Sequence, residues 1–113
     1  MATYEEVKDI PNHPDKYLVD VRSPSELEET GVLPASINIP LAALEKALNL
    51  PEEEFTKAYG RDKPAKEAVV IFSCKAGGRA ARAANSARTL GFVNAKAYSG
   101  SWTEWQEKQS QNV

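Results

Sequence analysis

The most apolar stretch of the chain sets the strongest constraint on its fold. Residues 68–72 read Ala-Val-Val-Ile-Phe and are followed by Ser73. Apolar residues without polar alternation are typical of a strand covered on both faces, as in a parallel sheet between helices. The run is much too short to cross a bilayer. We therefore expect a buried central strand at this point of an α/β fold.

Other short apolar runs alternate with segments of helical period. Strands are predicted at 17–21, at 37–39 and, more weakly, at 95–99. Helices are predicted at 24–30, 41–48, 52–59, 79–90 and 101–109, with Ser23 and Ser101 as N-caps. This alternation predicts one central parallel sheet with helices on both faces. The order of the strands does not follow from the pattern.

Length and composition bound the class of protein. The 113 residues fit a single domain with its core at about 4–108, and we expect 109–113 to fray. A net charge of −2 and 42% hydrophobic residues disfavour a disordered chain or a nucleic-acid-binding protein. One cysteine permits neither an internal disulfide nor a multi-thiolate metal cluster.

The beginning of the chain is acidic and lacks the apolar stretch of a secretory signal. We therefore expect a cytoplasmic protein, with the mitochondrial matrix as the alternative. No metal or organic cofactor, nucleic acid or membrane is expected as a partner.

The loop after the central strand contains the candidate reactive and substrate-binding residues: Cys74, Lys75, Ala76, Gly77, Gly78 and Arg79. It lies at the carboxyl end of a predicted parallel strand, where open α/β sheets bind ligands. The glycines let successive backbone N–H groups point at one anion, and the next helix adds its positive N-terminal end. A lone cysteine is commonly a small buried hydrophobe. Here the glycines and the two cations predict a reactive thiolate instead.

The length of this loop separates two reactions. Cys74 and Arg79 enclose four residues, and so small a loop suits one additional sulfur atom on the cysteine. Cysteine phosphatases generally have five residues there, with a histidine before the cysteine, whereas this chain has Ser73. The loop therefore favours sulfur transfer over phosphate transfer.

With these residues the sequence resembles the rhodanese-like domains. Residues 74–79 resemble the active-site loop of that family, and 18–23, Glu26 and 31–40 resemble its N-terminal signature. Residues 90–92, Tyr98, Gly100 and Trp105 resemble its C-terminal signature. The three motifs occur in order over about 4–108. The whole pattern is most similar to the short animal thiosulfate:thiol sulfurtransferases and heat-shock-induced single-domain rhodaneses.

The resemblance implies a five-stranded parallel sheet flanked by helices and a persulfide intermediate on Cys74. It also implies that Lys75, Ala76, Gly77, Gly78 and Arg79 bind the substrate through backbone amides and charge. Two departures from the usual pattern lie outside the loop. The usual Gly-His-Ile-Pro-Gly-Ala is Gly-Val-Leu-Pro-Ala-Ser at 31–36, and the usual Gly-Gly near the end is Gly100-Ser101. Close relatives often have a basic residue at the position of Gly78.

The predicted function is a sulfurtransferase that moves sulfur from thiosulfate or a related donor to a thiol such as glutathione or thioredoxin, with ping-pong kinetics. Three alternatives stay open: a cysteine-dependent phosphatase or arsenate reductase, a non-enzymatic protein-binding module, and a carrier that delivers sulfur to a protein partner.

Other conspicuous residues are interpreted as structural or solvated. Asp20 and Arg22 are expected to form an ion pair or cap, Trp102 and Trp105 to be packing residues, and His13 and Arg82 to be non-catalytic.

Overall fold

Four parallel strands form the centre of the computed structural model, which describes residues 1–111. They are β1 (Tyr17–Asp20), β2 (Ser36–Asn38), β3 (Val70–Ser73) and β4 (Ala95–Ala97), in the order β2-β1-β3-β4. Every residue of β1 and β3 is buried. This confirms the parallel sheet and the buried central strand that the apolar run predicts.

Helices cover both faces of the sheet. Those of residues 1–111 are α1 (Tyr4–Lys8), α2 (Pro24–Thr30), α3 (Leu44–Leu48), α4 (Glu52–Tyr59), α5 (Gly78–Thr89) and α6 (Ser101–Gln111), with short 3-10 turns at Ile10–Asn12 and Leu41–Ala43. Val19 and Phe72 pack with α3, α4 and α5, whereas Leu18 and Ile71 pack with α1 and α6. Successive strand residues therefore serve opposite layers, which explains why the strands are apolar without alternation.

A fifth strand, which the family resemblance implied, is absent from residues 1–111. Where it would lie, Ala2 forms a single parallel bridge with Tyr98, and its N–H donates to the carbonyl of Ala97 at 2.9 Å. Thr3 follows directly and is the N-cap of α1, its hydroxyl accepting from the N–H of Glu6 at 3.2 Å. The prediction of five strands is wrong because helix initiation at Thr3 ends the pairing after one residue.

The last helix differs from its prediction at both ends. Residues 109–111, from the segment expected to fray, form the last turn of α6, and 112–113 lie outside the described residues. Ser101 is the first residue of α6 and has a positive φ of 51°, so it is not the N-cap that the sequence predicts. Trp105 is buried against the ring of Tyr4, as expected of a packing residue. None of the described helices has the length and apolar character needed to cross a membrane.

Candidate active site

The thiol of Cys74 lies directly after β3, at the carboxyl edge of the sheet. The residue is buried, and backbone N–H groups point at its sulfur: that of Gly77 donates to Sγ at 3.0 Å and that of Ala80 at 3.4 Å. Gly77 is the N-cap of α5, so the positive end of this helix faces the sulfur. The site is therefore built to hold a negatively charged sulfur atom.

Two opposing effects set the pKa of Cys74. Burial raises the pKa, whereas hydrogen bonds from the amides of Ala80, Gly77 and Ala76 and from the hydroxyl of Ser101 lower it. The donors prevail, and the pKa lies below the ordinary value for a cysteine. Donors aimed at the charged form stabilise it, so the thiol is prepared to react as a thiolate.

The two glycines of the loop do different work. Gly77 has a φ of 108°, and a Cβ atom there would lie 2.4 Å from the backbone oxygen of Ser99. Glycine is thus required at this position by both conformation and space. Gly78 begins α5, and a Cβ atom on it would have no neighbour within 4 Å. Gly78 instead leaves the surface of the loop open.

Helix α6 fixes the orientation of the loop. The carbonyl of Cys74 accepts from the N–H of Trp102 at 2.9 Å, and the carbonyl of Lys75 accepts from the N–H and the hydroxyl of Thr103 at 3.0 and 2.9 Å. Because these carbonyls bond to α6, the amides that follow are left to face the sulfur. The first turn of α6 is therefore part of the support of the site.

Ser101 contacts the cysteine directly, a role that its sequence position, interpreted as a helix cap, did not predict. Its buried hydroxyl accepts from the N–H of Cys74 at 3.0 Å and lies 3.8 Å from Sγ. The same hydroxyl donates to the carbonyl of Tyr98 at 2.7 Å. The available signal was the departure at Gly100-Ser101 from the Gly-Gly that the family resemblance leads one to expect, because serine adds a hydroxyl at that position.

The charge of Arg79 is already partnered. Its guanidinium donates to both carboxylate oxygens of Glu26 on α2, at 2.7 and 2.9 Å. This hydrogen-bonded pairing lowers the pKa of Glu26 to about 2 and raises the pKa of Arg79. Lys75 is exposed and takes part in no ion pair among residues 1–111. Of the two cations that the sequence assigns to the loop, Lys75 is the one available to an incoming anion.

Asp20 and Arg22 form a buried ion pair beside the loop, the structural reading that the sequence favoured. The guanidinium donates to Asp20 at 2.8–3.1 Å, to the hydroxyl of Thr30 at 2.9 Å and to the carbonyl of Gly31 at 3.3 Å. It also lies 4.9 Å from the centre of the Trp102 ring. The pair therefore ties β1 and α2 to the helix that supports the cysteine loop.

A cavity of about 250 Å³ opens between α2 and α6, next to the loop. Its walls are polar and carry both signs of charge, with Glu26 and Glu29 from α2, Lys75 from the loop, and Thr103 and Gln106 from α6.

His13 and Arg82 lie away from this site. The ring of His13 is bonded to Asp9 at 2.7 Å, and Arg82 is exposed on α5. In residues 1–111 no group of three or more His, Cys, Asp or Glu side chains is arranged to hold a metal ion.

The site is a buried cysteine at the end of a parallel strand, with amides of the following loop and helix aimed at its sulfur, and it places the chain among the α/β proteins that have a cysteine loop at the carboxyl edge of the sheet. The family model of the rhodanese-like domain matches residues 3–108. The chain therefore belongs to the rhodanese-like domain family, which confirms the resemblance seen in its sequence.

Relatives with assigned names are similar over nearly the whole chain. The rhodanese domain-containing protein CG4456 of Drosophila melanogaster is 54% identical over 109 residues, covering 96% of this chain and 98% of the relative. The thiosulfate:glutathione sulfurtransferase of Homo sapiens is 39% identical over 94 residues, covering 82% and 81%. The structure of the human single-domain sulfurtransferase TSTD1 superposes with a TM-score of 0.88 at 34% identity, covering 96% of both chains.

Proposed function

We propose that this chain is a thiosulfate sulfurtransferase that carries sulfur as a persulfide on Cys74 and delivers it to a small thiol. The observation that supports this most directly is the buried Sγ with the amides of Gly77 and Ala80 aimed at it. The names of the similar single-domain sulfurtransferases agree with the proposal.

The reaction consists of two displacements on sulfur. In the first, the Cys74 thiolate attacks the outer sulfur of thiosulfate, the new S–S bond forms, and the old one breaks with its electron pair leaving on sulfite. In the second, an acceptor thiolate attacks the outer sulfur of the persulfide, and the electron pair of the broken bond returns to Sγ. The products are sulfite and the acceptor persulfide, no external oxidant or reductant is consumed, and ping-pong kinetics follow.

The residues of the loop divide the work. The amides of Ala76, Gly77 and Ala80 stabilise the anionic sulfur, and fixed donors of this kind contribute about 3–4 kcal/mol each in enzymes where they have been removed. Lys75 attracts the doubly negative donor. Arg79 acts through its bond to Glu26, holding α5 and its amides against α2.

The acceptor we propose is a small zwitterionic thiol such as glutathione. The cavity beside the loop is polar, offers Lys75 to a carboxylate and Glu29 to an ammonium group, and is too small for a folded partner to enter. Thioredoxin, the larger alternative, has to present its thiol at the surface of the same loop. Comparing kcat/KM for the two acceptors on the persulfide form separates them.

The rival functions differ in what they require of the loop. A phosphatase or arsenate reductase needs room for a tetrahedral oxyanion among the amides of its loop, whereas here the amides of Gly77 and Ala80 point at the cysteine sulfur itself, at 3.0 and 3.4 Å. A pure binding module has no need of a thiol whose pKa is lowered by converging donors. A carrier for a protein acceptor shares the first displacement and differs only in the second.

The test is intact-protein mass spectrometry after incubation with thiosulfate and removal of excess donor, with Cys74→Ser in parallel. We expect the parent to gain one sulfur atom, the variant to gain none, and glutathione to discharge the adduct. An aryl phosphate assay on the same preparation addresses the phosphatase. A parent whose cysteine reacts with iodoacetamide but never gains sulfur would overturn the proposal.

A further inference from the structure

Ser101 has a backbone conformation that its side chain makes unfavourable. Its φ of 51° lies in the left-handed region, which serine rarely adopts and glycine adopts freely. A strained residue persists where its side chain contributes something that glycine cannot supply.

The contacts of this side chain show what it contributes. Its oxygen accepts the N–H of Cys74 at 3.0 Å, so this bond occupies one lone pair of Oγ. Its single proton has two acceptors within reach, the carbonyl of Tyr98 at 2.7 Å and the sulfur of Cys74 at 3.8 Å. Rotation about the Cβ–Oγ bond moves the proton from one acceptor to the other while the bond from the Cys74 amide stays in place.

We propose that Ser101 is a positioning residue for sulfur transfer, whose hydroxyl anchors the Cys74 backbone and turns its proton to Sγ whenever that sulfur carries charge. The inference rests on the proposed function, because it assigns a role within the two displacements. Sγ carries the negative charge before the first displacement and again after the second. The hydroxyl is thus a switchable donor that acts on Sγ alongside the fixed amides of Gly77 and Ala80.

The two displacements respond to such a donor in opposite directions. A less basic thiolate is a weaker nucleophile toward thiosulfate but a better leaving group when the acceptor attacks the persulfide. Removing the hydroxyl makes Sγ more basic. Above the midpoint of its titration, loading then becomes faster, by about threefold for each tenfold rise in basicity, and discharge becomes slower.

The other influence on the titration of Cys74 comes from the charged side chains around the cysteine loop and Ser101. They are Asp20 at the end of β1, Arg22 after it, Glu26 on α2, Lys75 in the loop, Arg79 on α5 and Glu104 on α6. The first two form one ion pair, and Glu26 with Arg79 forms another. Burial raises the pKa of Tyr98, and the nearby negative charge of Glu104 raises it further. Exchanging Ser101 alters none of these charges, so a change in the titration of Cys74 reports the hydroxyl.

The test compares Ser101→Gly and Ser101→Ala with the parent. Both variants remove the hydroxyl and its bond to the Cys74 N–H. Glycine also relieves the backbone strain, which offsets part of the cost of that lost bond, whereas alanine keeps the strain. Ser99→Ala is the matched control, because its exposed hydroxyl contacts Met1 instead of the cysteine. Three quantities are measured: the pH midpoint of Cys74 alkylation by iodoacetamide, the rate of loading by thiosulfate, and the rate of discharge by glutathione.

We expect both Ser101 variants to show a higher alkylation midpoint, faster loading above that midpoint and slower discharge, with the control unchanged. An unchanged midpoint with both rates intact would overturn the proposal. So would an unchanged midpoint with both rates reduced together, since that marks simple structural support. If the parent fails to load with thiosulfate, the proposed function fails, while the alkylation midpoint still decides the role of Ser101.

Discussion

Two anionic groups lie side by side at the carboxyl edge of the sheet, and the protein holds them in different ways. Asp20 ends β1 and Cys74 follows β3, and the register pairs Asp20 with Ser73, the residue before the cysteine. Asp20 is neutralised by a side chain, the guanidinium of Arg22, with both residues buried. Cys74 is held mainly by backbone amides, which carry partial charges only.

The difference determines what each anion can do. Because the Arg22 guanidinium donates to Asp20, Thr30 and Gly31, the pair is a neutral unit whose hydrogen bonds lie mainly within the protein. Backbone donors stabilise a negative sulfur without cancelling its charge, so the sulfur stays available to react. The first arrangement builds structure, and the second permits chemistry.

Removing the carboxylate that neutralises Arg22 should have the largest effect on stability. Asp20→Asn leaves the Arg22 guanidinium buried without a counterion, and we expect a loss of about 3–5 kcal/mol in the free energy of unfolding. Urea denaturation measures it. The control is Glu53→Gln, which removes the exposed pair with Lys57 and should change stability by less than about 0.5 kcal/mol. Equal losses for the two variants would contradict the distinction drawn here.

Substitutions at the two glycines of the cysteine loop should have the next largest effect on stability. Gly77→Ala forces a side chain into a positive φ and against the oxygen of Ser99, so we expect a loss of about 1–3 kcal/mol together with most of the loading by thiosulfate. Gly78→Ala meets open space at the start of a helix and should raise stability by about 0.4–1 kcal/mol. Denaturation of both variants checks the pair, and similar losses at the two glycines would count against the described loop geometry.

The bond between Glu26 and Arg79 gives a smaller effect that depends on pH. The folded pKa of Glu26 is about 2 against a reference of 4.5, so its contribution to stability is complete above pH 4.5 and is lost as the pH falls toward 2. We expect Glu26→Gln to lose about 1 kcal/mol at neutral pH and to lack this acid-dependent part. Denaturation curves at several pH values between 2 and 7 measure it. A parallel pH dependence in parent and variant would refute the assignment.

Removing the unpaired cation should leave stability almost unchanged. For Lys75→Gln we expect a shift below about 0.5 kcal/mol, because the side chain is exposed and unpaired among the described residues. Loading by thiosulfate should slow several-fold at low salt, and the difference should shrink as salt screens the charge. Lys57→Gln, which removes a distant positive charge, is the control. Equal slowing in both variants would show a general effect of net charge.

The sequence was most informative where structure is local. The buried β3, the loop and the start of α5 follow one another along the chain, so apolar content, glycines and a helix signal were enough to predict them. The order of strands had to come from the structure. The count of five strands was wrong because pairing at Ala2 competes with a helix cap on the next residue, and the local hydrogen bond of Thr3 prevails.

The partners of the site residues were beyond sequence reasoning because they are distant in the chain. Glu26 binds Arg79 across 53 residues, and Ser101 reaches Cys74 across 27. In the sequence, Glu26 was identified only as part of the N-terminal family signature, and Ser101 only as a cap and as a departure from the usual Gly-Gly. Neither was predicted to contact the cysteine loop, since a pattern of neighbours contains no information on which side chain meets another after folding.

The bonds between the cysteine loop and α6 have a consequence for hydrogen exchange. The amides of Trp102 and Thr103 donate to the carbonyls of Cys74 and Lys75, so their deuterium uptake requires the loop and the helix to separate. The exchange rates of these two amides therefore report how often the loop separates from α6 in native conditions. Their protection factors, compared between the thiol and persulfide forms, give the free energy by which a single bound sulfur atom changes the local rigidity of the chain.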